Sequence, residues 1–276
     1  MSKKITLEEW LIKARASTLK SNPHAPEQIA GKILKLNKTQ ITSKSSEIFL
    51  TNKNKLKLDN LLGKLLAGRP LATVLHSTQF HNINLKVNKR VLSPRAETED
   101  LVEYAIKNIP KNSKVFDIGT GTGAIGLSLA KARPDLKVTL TDISNKTLNL
   151  TKLNARINNT TTVKYKKTNL IKNIDQKDLK ESFFLANLPY VNKNWPDIKN
   201  KRLKHEPHSA LFAGDNGLQI IKNFLNQLTN QEIITKNNWV LLEHDPKQYN
   251  DLKNFCKKLS LTTKQISNFI TLVELA

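Results

Sequence analysis

The stretch "VFDIGTGTGAIG", residues 115–126, decides how the chain is read. Val115, Phe116 and Ile118 make a short apolar run of strand character. Gly119, Thr120, Gly121, Thr122 and Gly123 interrupt it, and "GAIGLSLAKAR" continues as a helix. Glycines at such a turn let the backbone pass close beneath a ligand. The helix that follows adds the positive end of its dipole. Outward from this unit the same rhythm recurs. "KVTLTDIS" reads as a strand and "NKTLNLTKLNARIN" as a helix. "VKYKKTNL" and "FFLANLP" read as strands, "LQIIKNFLNQL" as a helix, "WVLLEHD" as a strand and "KQYNDLKNFCKKL" as a helix. The tail "TTKQISNFITLVELA" supplies two short strands. This alternation predicts a doubly wound, mostly parallel sheet.

Two acids flank the glycines. Asp117 lies at the end of the first strand, and Asp142 ends the next. An acid at Asp142 can accept hydrogen bonds from both ribose hydroxyls of a nucleoside. Residues 121–126 also satisfy G-x-G-x-x-G, the dinucleotide fingerprint, so NAD or FAD stands beside S-adenosylmethionine (AdoMet) as a candidate. Asp117 favours AdoMet. A carboxylate just before the glycines repels a pyrophosphate, but suits a ligand that carries an ammonium and a sulfonium and no phosphate.

The fourth strand ends in "FFLANLPYVNK", residues 183–193. In an open α/β sheet, ligands sit outside the carboxyl ends of the strands. Asn187, Leu188, Pro189 and Tyr190 are therefore expected to face the same crevice as the glycine loop. Their chemistry suits a planar NH₂ group, a poor nucleophile while its lone pair is delocalised. Two acceptors, each taking one N–H, would fix its plane and push electron density toward nitrogen. The Asn187 side-chain oxygen can be one. The Leu188 carbonyl can be the other, aimed by Pro189, which restricts its predecessor to extended conformations. Tyr190 can stack on the flat group and hold it for in-line attack on a methyl. Positive charge develops on nitrogen in the transition state, and these acceptors stabilise it. No metal is called for.

Residues 1–75 read as a small helical bundle. "TLEEWLIKA" has Thr6 as N-cap and Glu9 as its capping-box partner. "PEQIAGKILKL", "SSEIFLTN" and "LDNLLGKLLAG" suggest three more helices, the last ended by Gly68 and Pro70. Residues 76–95 form a linker. In "FHNINLKVNKRVLSPR", Ile83, Leu85 and Val87 alternate as in a hairpin. Residues 96–276 form the third segment, opened by a helix in "SPRAETEDLVEYAI". Cys256 is the single cysteine, which excludes an intrachain disulfide and fits a reducing compartment. No apolar run approaches the roughly 20 residues of a membrane helix, and "MSKKITLEEW" lacks the apolar region of a signal peptide. A soluble, cytoplasmic monomer is expected. The net charge of +22 permits nonspecific nucleic-acid binding. Its lysines are scattered and arginine is scarce, so it marks no dedicated phosphate reader.

The glycine loop together with Asn-x-Pro-Tyr resembles the Asn-Pro-Pro-Tyr family of class I AdoMet-dependent N-methyltransferases. Within it, the chain is similar to the HemK/PrmC type, the release factor N5-glutamine methyltransferases. The similarity runs through "LLAGRPLATVLHSTQFHNINLKVNKRVLSPRAETE", "FDIGTGTGAIGLSLA", "TDISNKTLNLTKLNA", "EPHSALFAGDNGLQII" and "LLEHD". It implies a Rossmann-like, seven-stranded methyltransferase domain behind an N-terminal helical domain that docks the release factor. Asp117, residues 119–123, Asp142, Leu170 and Asn187 would hold AdoMet. Asn187, Leu188, Pro189 and Tyr190, with Arg95 and Thr98, would hold the substrate, and Asn187, Pro189 and Tyr190 would serve catalysis. The substrate would be the glutamine of the Gly-Gly-Gln loop of class I release factors, and the products N5-methylglutamine and S-adenosylhomocysteine. Leu188 and Ala96 stand where the family has proline, and Asn169 and Leu170 where an acid and a bulky residue are common. A competing reading is a DNA or rRNA N-methyltransferase that acts on the exocyclic amine of adenine or guanine.

Overall fold

The computed structural model describes residues 5–19, 22–196, 205–214 and 216–276. Residues 1–4, which begin the stretch read above for a signal peptide, lie outside the described residues, as does Asp215 of "EPHSALFAGDNGLQII". The chain divides into two compact units, Met1–His76 with Asn200–His205, and Ser77–Lys199 with Glu206–Ala276.

The smaller unit holds α1 (Leu7–Thr18), α2 (Ala25–Leu34), α3 (Lys38–Lys44), α4 (Asn52–Leu66) and α5 (Leu71–Leu75). The capping box at Thr6 and Glu9 is formed. Leu7, Trp10, Leu11 and Ala14 of α1 pack with Ile29, Ile41 and Leu58 of the neighbouring helices. The helix expected over "SSEIFLTN" does not form. Residues 45–51 run from a turn into an extended stretch, and Phe49 bridges Thr6. Leu50 is buried while Phe49 points to solvent, the two-residue period of a strand. The helix instead lies upstream at α3, where Asn37 and Gln40 supply the reciprocal cap.

The larger unit opens with the hairpin β1 (Ser77–Phe80) and β2 (Ile83–Lys86). A 3₁₀ turn (Ala96–Thr98) leads into α6 (Glu99–Asn108). The sheet and its helices follow: β3 (Lys114–Ile118), α7 (Ala124–Ala132), β4 (Lys137–Asp142), α8 (Asn145–Ile157), β5 (Lys164–Lys167), α9 (Gln176–Leu179) and β6 (Ser182–Ala186). Then come α10 (His208–Leu211), α11 (Gln219–Asn230), β7 (Val240–Glu243), α12 (Tyr249–Lys258), β8 (Leu261–Gln265) and β9 (Ile270–Leu275). The strands form one seven-stranded sheet in the order β5-β4-β3-β6-β7-β9-β8. The first five are parallel, and β9 and β8 close one edge antiparallel.

Both faces of the sheet are covered, so its central strands are apolar at nearly every position. Val115, Phe183, Leu185 and Leu241 point into one core with Leu101 of α6 and Leu127 of α7. Phe116, Ile118, Phe184 and Val240 point into the other with Phe224 of α11 and Leu252 of α12. Phe184 stacks on Phe116 at 5.7 Å between ring centroids and meets Phe224 edge-on at 6.2 Å. The chain winds from β3 outward to β5, then returns to β6 on the other side of β3. The strand order therefore reverses between β3 and β6, the position at which open α/β sheets bind ligands. Register pairs Ile118 with Ala186, so Gly119 and Asn187 leave adjacent strands side by side.

Candidate active site

The glycine loop is built from below. Gly119, Gly121 and Gly123 take φ of 71°, 56° and 87°, left-handed values that side-chain-bearing residues adopt at a cost. Asp117 is wholly buried under the loop. Its Oδ2 accepts from the Thr120 hydroxyl and, at 3.0 Å, from the Gly126 N–H at the start of α7. Its Oδ1 has no hydrogen-bond partner among the described residues. Burial raises the Asp117 pKa to about 6, against the lowering pull of Thr120 and Gly126. Asp117 thus carries charge at neutral pH and acts on anything above the loop through its field.

The neighbouring strand and helix hold the rest of the loop. Thr120 N–H donates to the Thr141 carbonyl at 2.8 Å, and Gly121 N–H donates to Asp142 Oδ2 at 3.3 Å. Ser144 N–H donates to Asp142 Oδ1 at 2.9 Å. Burial, the largest influence, raises the Asp142 pKa. From α8, the Thr151 hydroxyl donates to the Gly121 carbonyl at 2.9 Å and Asn154 Nδ2 to the Thr122 carbonyl at 2.8 Å. Asn154 also accepts from Lys86 N–H at 2.8 Å and donates to the Lys86 carbonyl at 3.1 Å. Asn158, one turn on, makes the same pair of bonds with Asn84. An amide on α8 and another at its C-cap thus replace a missing strand partner for β2, and Asn154 joins the hairpin to the glycine loop.

Across the switch point, Asn187 follows β6. Its Nδ2 donates to Thr98 Oγ1 at 3.2 Å, and no bond to its Oδ1 is made among the described residues. The Leu188 side chain is buried in the sheet's second core. A β-carbon at Gly119 would stand 3.0 Å from Leu188 Cδ2, so this residue packs the amide turn against the glycine loop. Its carbonyl receives no hydrogen bond among the described residues. Tyr190 donates its hydroxyl to Glu243 Oε1 at 3.1 Å, and its carbonyl accepts from Gln248 Nε2 at 2.8 Å. Burial, followed by the negative Glu243, raises the Tyr190 pKa. Val191 is pinned from both sides: its N–H donates to the Leu211 carbonyl at 2.8 Å, and its carbonyl accepts from Ala213 N–H at 3.3 Å. The "EPHSALFAG" segment is therefore a clamp on the strand exit.

Arg95 donates to the buried Glu206 at 2.8 Å, which ties the approach to Thr98 to the start of that clamp. Burial raises the Glu206 pKa against the lowering influence of Arg95. Leu170 sits past β5 with φ of 58°, near Asp142, whose carbonyl accepts from Thr168 N–H at 3.0 Å. Two residues at the site escaped the sequence reading. Glu243 ends β7 and is buried; its signal was a lone acid inside the apolar run "WVLLEHD". Ile143 follows Asp142 with 63% of its surface exposed. Its signal was an aliphatic residue just outside a strand end.

Comparison with known proteins assigns this arrangement to a family. A family model described as Methyltransferase small domain matches residues 98–213. The catalytic domain of hMettl16, solved in complex with MAT2A 3′UTR hairpin 1, superposes with a TM-score of 0.51. It shares 16% identity, over 74% of this chain and 77% of that one. That likeness is one of fold alone, and it agrees with the Rossmann-like methyltransferase sheet. The chain is 34% identical over 200 residues to the release factor glutamine methyltransferase of Coxiella burnetii, covering 72% of this chain and 70% of that protein. It is 35% identical over 234 residues to the protein of that name from Flavobacterium psychrophilum, covering 82% and 77%. With this identity sustained over more than two thirds of both relatives, the chain belongs to the release factor glutamine methyltransferase family.

Proposed function

We propose that this chain methylates the side-chain amide nitrogen of the glutamine in the Gly-Gly-Gln loop of class I peptide chain release factors, with AdoMet as donor. The observation that carries the reading is the pair of unclaimed acceptors at the switch point, Asn187 Oδ1 and the Leu188 carbonyl, beside a glycine loop with a buried acid beneath it.

The residues present fit AdoMet. A β-carbon at Gly121 would meet nothing closer than the Gly119 carbonyl oxygen, at 3.9 Å, so the space above the loop is open. Residues 119–123 would line the methionine end, where the charge of Asp117 complements an ammonium. Asp142 would accept hydrogen bonds from the ribose hydroxyls. Ile143 and Leu170 offer apolar surface beside Asp142 for a flat base. AdoMet, when bound there, supplies an electrophilic methyl on a sulfonium.

Every other requirement falls on the chain. Asn187 Oδ1 and the Leu188 carbonyl each take one N–H of the glutamine amide. This fixes the amide plane and raises electron density on nitrogen. Tyr190, held by Glu243 and Gln248, lies against the flat group and limits its motion. As the N–C bond forms, positive charge grows on nitrogen, and the two acceptors stabilise it. The nitrogen then gives one of its two protons to solvent and ends as a neutral secondary amide, with S-adenosylhomocysteine as the other product. Leu188 in place of proline leaves the acceptor in place, because the carbonyl belongs to the backbone. The helical unit at the N-terminus serves to dock the release factor.

The test is methylation of purified release factor by wild-type protein and by N187A. Loss of turnover by about 10²–10³ in N187A, with the protein folded, is expected for removal of one such group. Near-wild-type turnover would overturn the role given to Asn187.

A further inference from the structure

Gln248 closes the 3₁₀ turn Pro246–Gln248 that follows β7, and it is 3% exposed. Its side chain meets three loops. Oε1 accepts from the Asp245 N–H at 3.1 Å, which completes a capping box with Asp245. Nε2 donates to the Tyr190 carbonyl at 2.8 Å and to the Asn216 carbonyl at 3.1 Å. The exits of β6 and β7 and the approach to α11 therefore meet on one buried amide. Its partners settle its orientation: a backbone N–H needs the oxygen, and two carbonyls need the NH₂.

The cap explains only half of this side chain. A capping box is served by glutamate as well as by glutamine. The two carbonyls need two N–H groups. An ionised glutamate donates nothing, and a protonated one donates once. Gly217 supplies an independent observation. It has φ of 73°, and a β-carbon there would stand 2.5 Å from Gln248 Nε2, closer still to the Tyr190 carbonyl oxygen, and 3.0 Å from the Asn192 nitrogen. The glycine leaves the gap through which the bond from Gln248 to Tyr190 passes. Tyr190 is thus held at two ends, its hydroxyl by Glu243 and its carbonyl by Gln248. We propose that Gln248 is a positioning residue, a clip whose NH₂ locks the Tyr190 backbone to the loop before α11 and so keeps the Tyr190 ring in place against the substrate amide. The inference rests on the glutamine reading above.

Q248E keeps the volume and the cap and removes the clip. The first readout is backbone hydrogen exchange followed by NMR. The amides of residues 190–192 and 216–218 are expected to exchange about tenfold faster, the factor given by one lost hydrogen bond of ordinary strength, while those of residues 245–248 keep their protection. The second readout is turnover of unmethylated release factor. It is expected to fall about 100-fold, the cost of a misplacement of about 1 Å, with AdoMet affinity unchanged. G217A should reproduce both results, because its methyl blocks the same bond. G214A controls for backbone strain. Gly214 has φ of 74°, but a β-carbon there would make only an ordinary contact, at 3.4 Å from Gln219, so G214A should keep turnover near the wild-type level. Wild-type turnover in folded Q248E overturns the proposal, and so does exchange that rises in only one of the two segments. If Q248E does not fold, equal turnover in G217A and G214A overturns it. Exchange that rises in both segments, when the wild-type protein leaves the release factor unmethylated, supports the clip and overturns the glutamine reading instead.

Discussion

Gly119→Ala tests the joint between the glycine loop and the amide turn. Two costs can be worked from the structure. Gly119 has φ of 71°, and a side chain in the left-handed region costs about 1–2 kcal/mol. The new methyl would also stand 3.0 Å from Leu188 Cδ2, well inside a comfortable carbon contact, and overpacking of this kind costs about 1–3 kcal/mol. Together they give about 2–5 kcal/mol, a large part of the roughly 5–15 kcal/mol that stabilises a domain. Leu188→Ala alone should cost about 2–5 kcal/mol for a buried leucine. The double variant removes the collision and keeps the backbone strain. Its cost should therefore fall short of the sum of the single variants by about 1–3 kcal/mol. Urea unfolding at constant m-value gives these differences, and calorimetry gives the AdoMet dissociation constant for each variant. In G119A both AdoMet affinity and turnover should fall, because the Leu188 side chain packs on Gly119 and its carbonyl is the proposed acceptor for the substrate amide. Strict additivity, within about 0.5 kcal/mol, would refute the packing of Leu188 on Gly119.

Three further outcomes follow from the same site. Burial raises the Asp117 pKa to about 6 from 3.8, so its contribution to stability is fully present below the lower value and is lost as pH rises through the higher one. Relative to D117N, the wild type should lose up to about 3 kcal/mol between pH 4 and 7, measured by denaturation at each pH; a difference independent of pH would contradict the burial argument. Asn154→Ala removes three bonds to Lys86 and Thr122 and should cost about 2–4 kcal/mol, with faster hydrogen exchange in both β2 and the glycine loop; protection lost in only one of them would refute the link. Ile143→Asp, at an exposed position, should change stability by no more than about 0.5 kcal/mol while weakening AdoMet roughly tenfold; unchanged affinity would remove Ile143 from the base pocket.

The fold was legible because its signal is local and repeated. The apolar runs of β3, β6 and β7 alternate with helices whose glycine and proline boundaries are plain, and that rhythm admits few architectures. The residues of the site were legible where backbone chemistry is distinctive, in the three glycines after Ile118 and the Asn-Leu-Pro-Tyr exit of β6. Other features are set by register and tertiary packing. Nothing local in "WVLLEHD" says that Glu243 meets Tyr190, since that depends on β6 and β7 being neighbours. Asn154 on α8 and Asn158 at its C-cap take their roles only from the edge of β2 that lies against them. The segment "SSEIFLTN" misled because serine and a few apolar residues fit a short helix as well as an extended strap. Only Thr6 across from Phe49 decides between the two. Leu188 read as a departure from proline, whereas its side chain fills the space beside Gly119.

The most direct measurement is the site of methyl transfer. The wild-type protein is incubated with methyl-labelled AdoMet and, in separate reactions, with unmethylated release factor, short duplex DNA and rRNA. Tryptic fragments of the release factor are then read by mass spectrometry. Label on the glutamine side chain of the Gly-Gly-Gln fragment, absent with N187A, is the expected result. Label in nucleic acid with none on that glutamine would contradict the assignment.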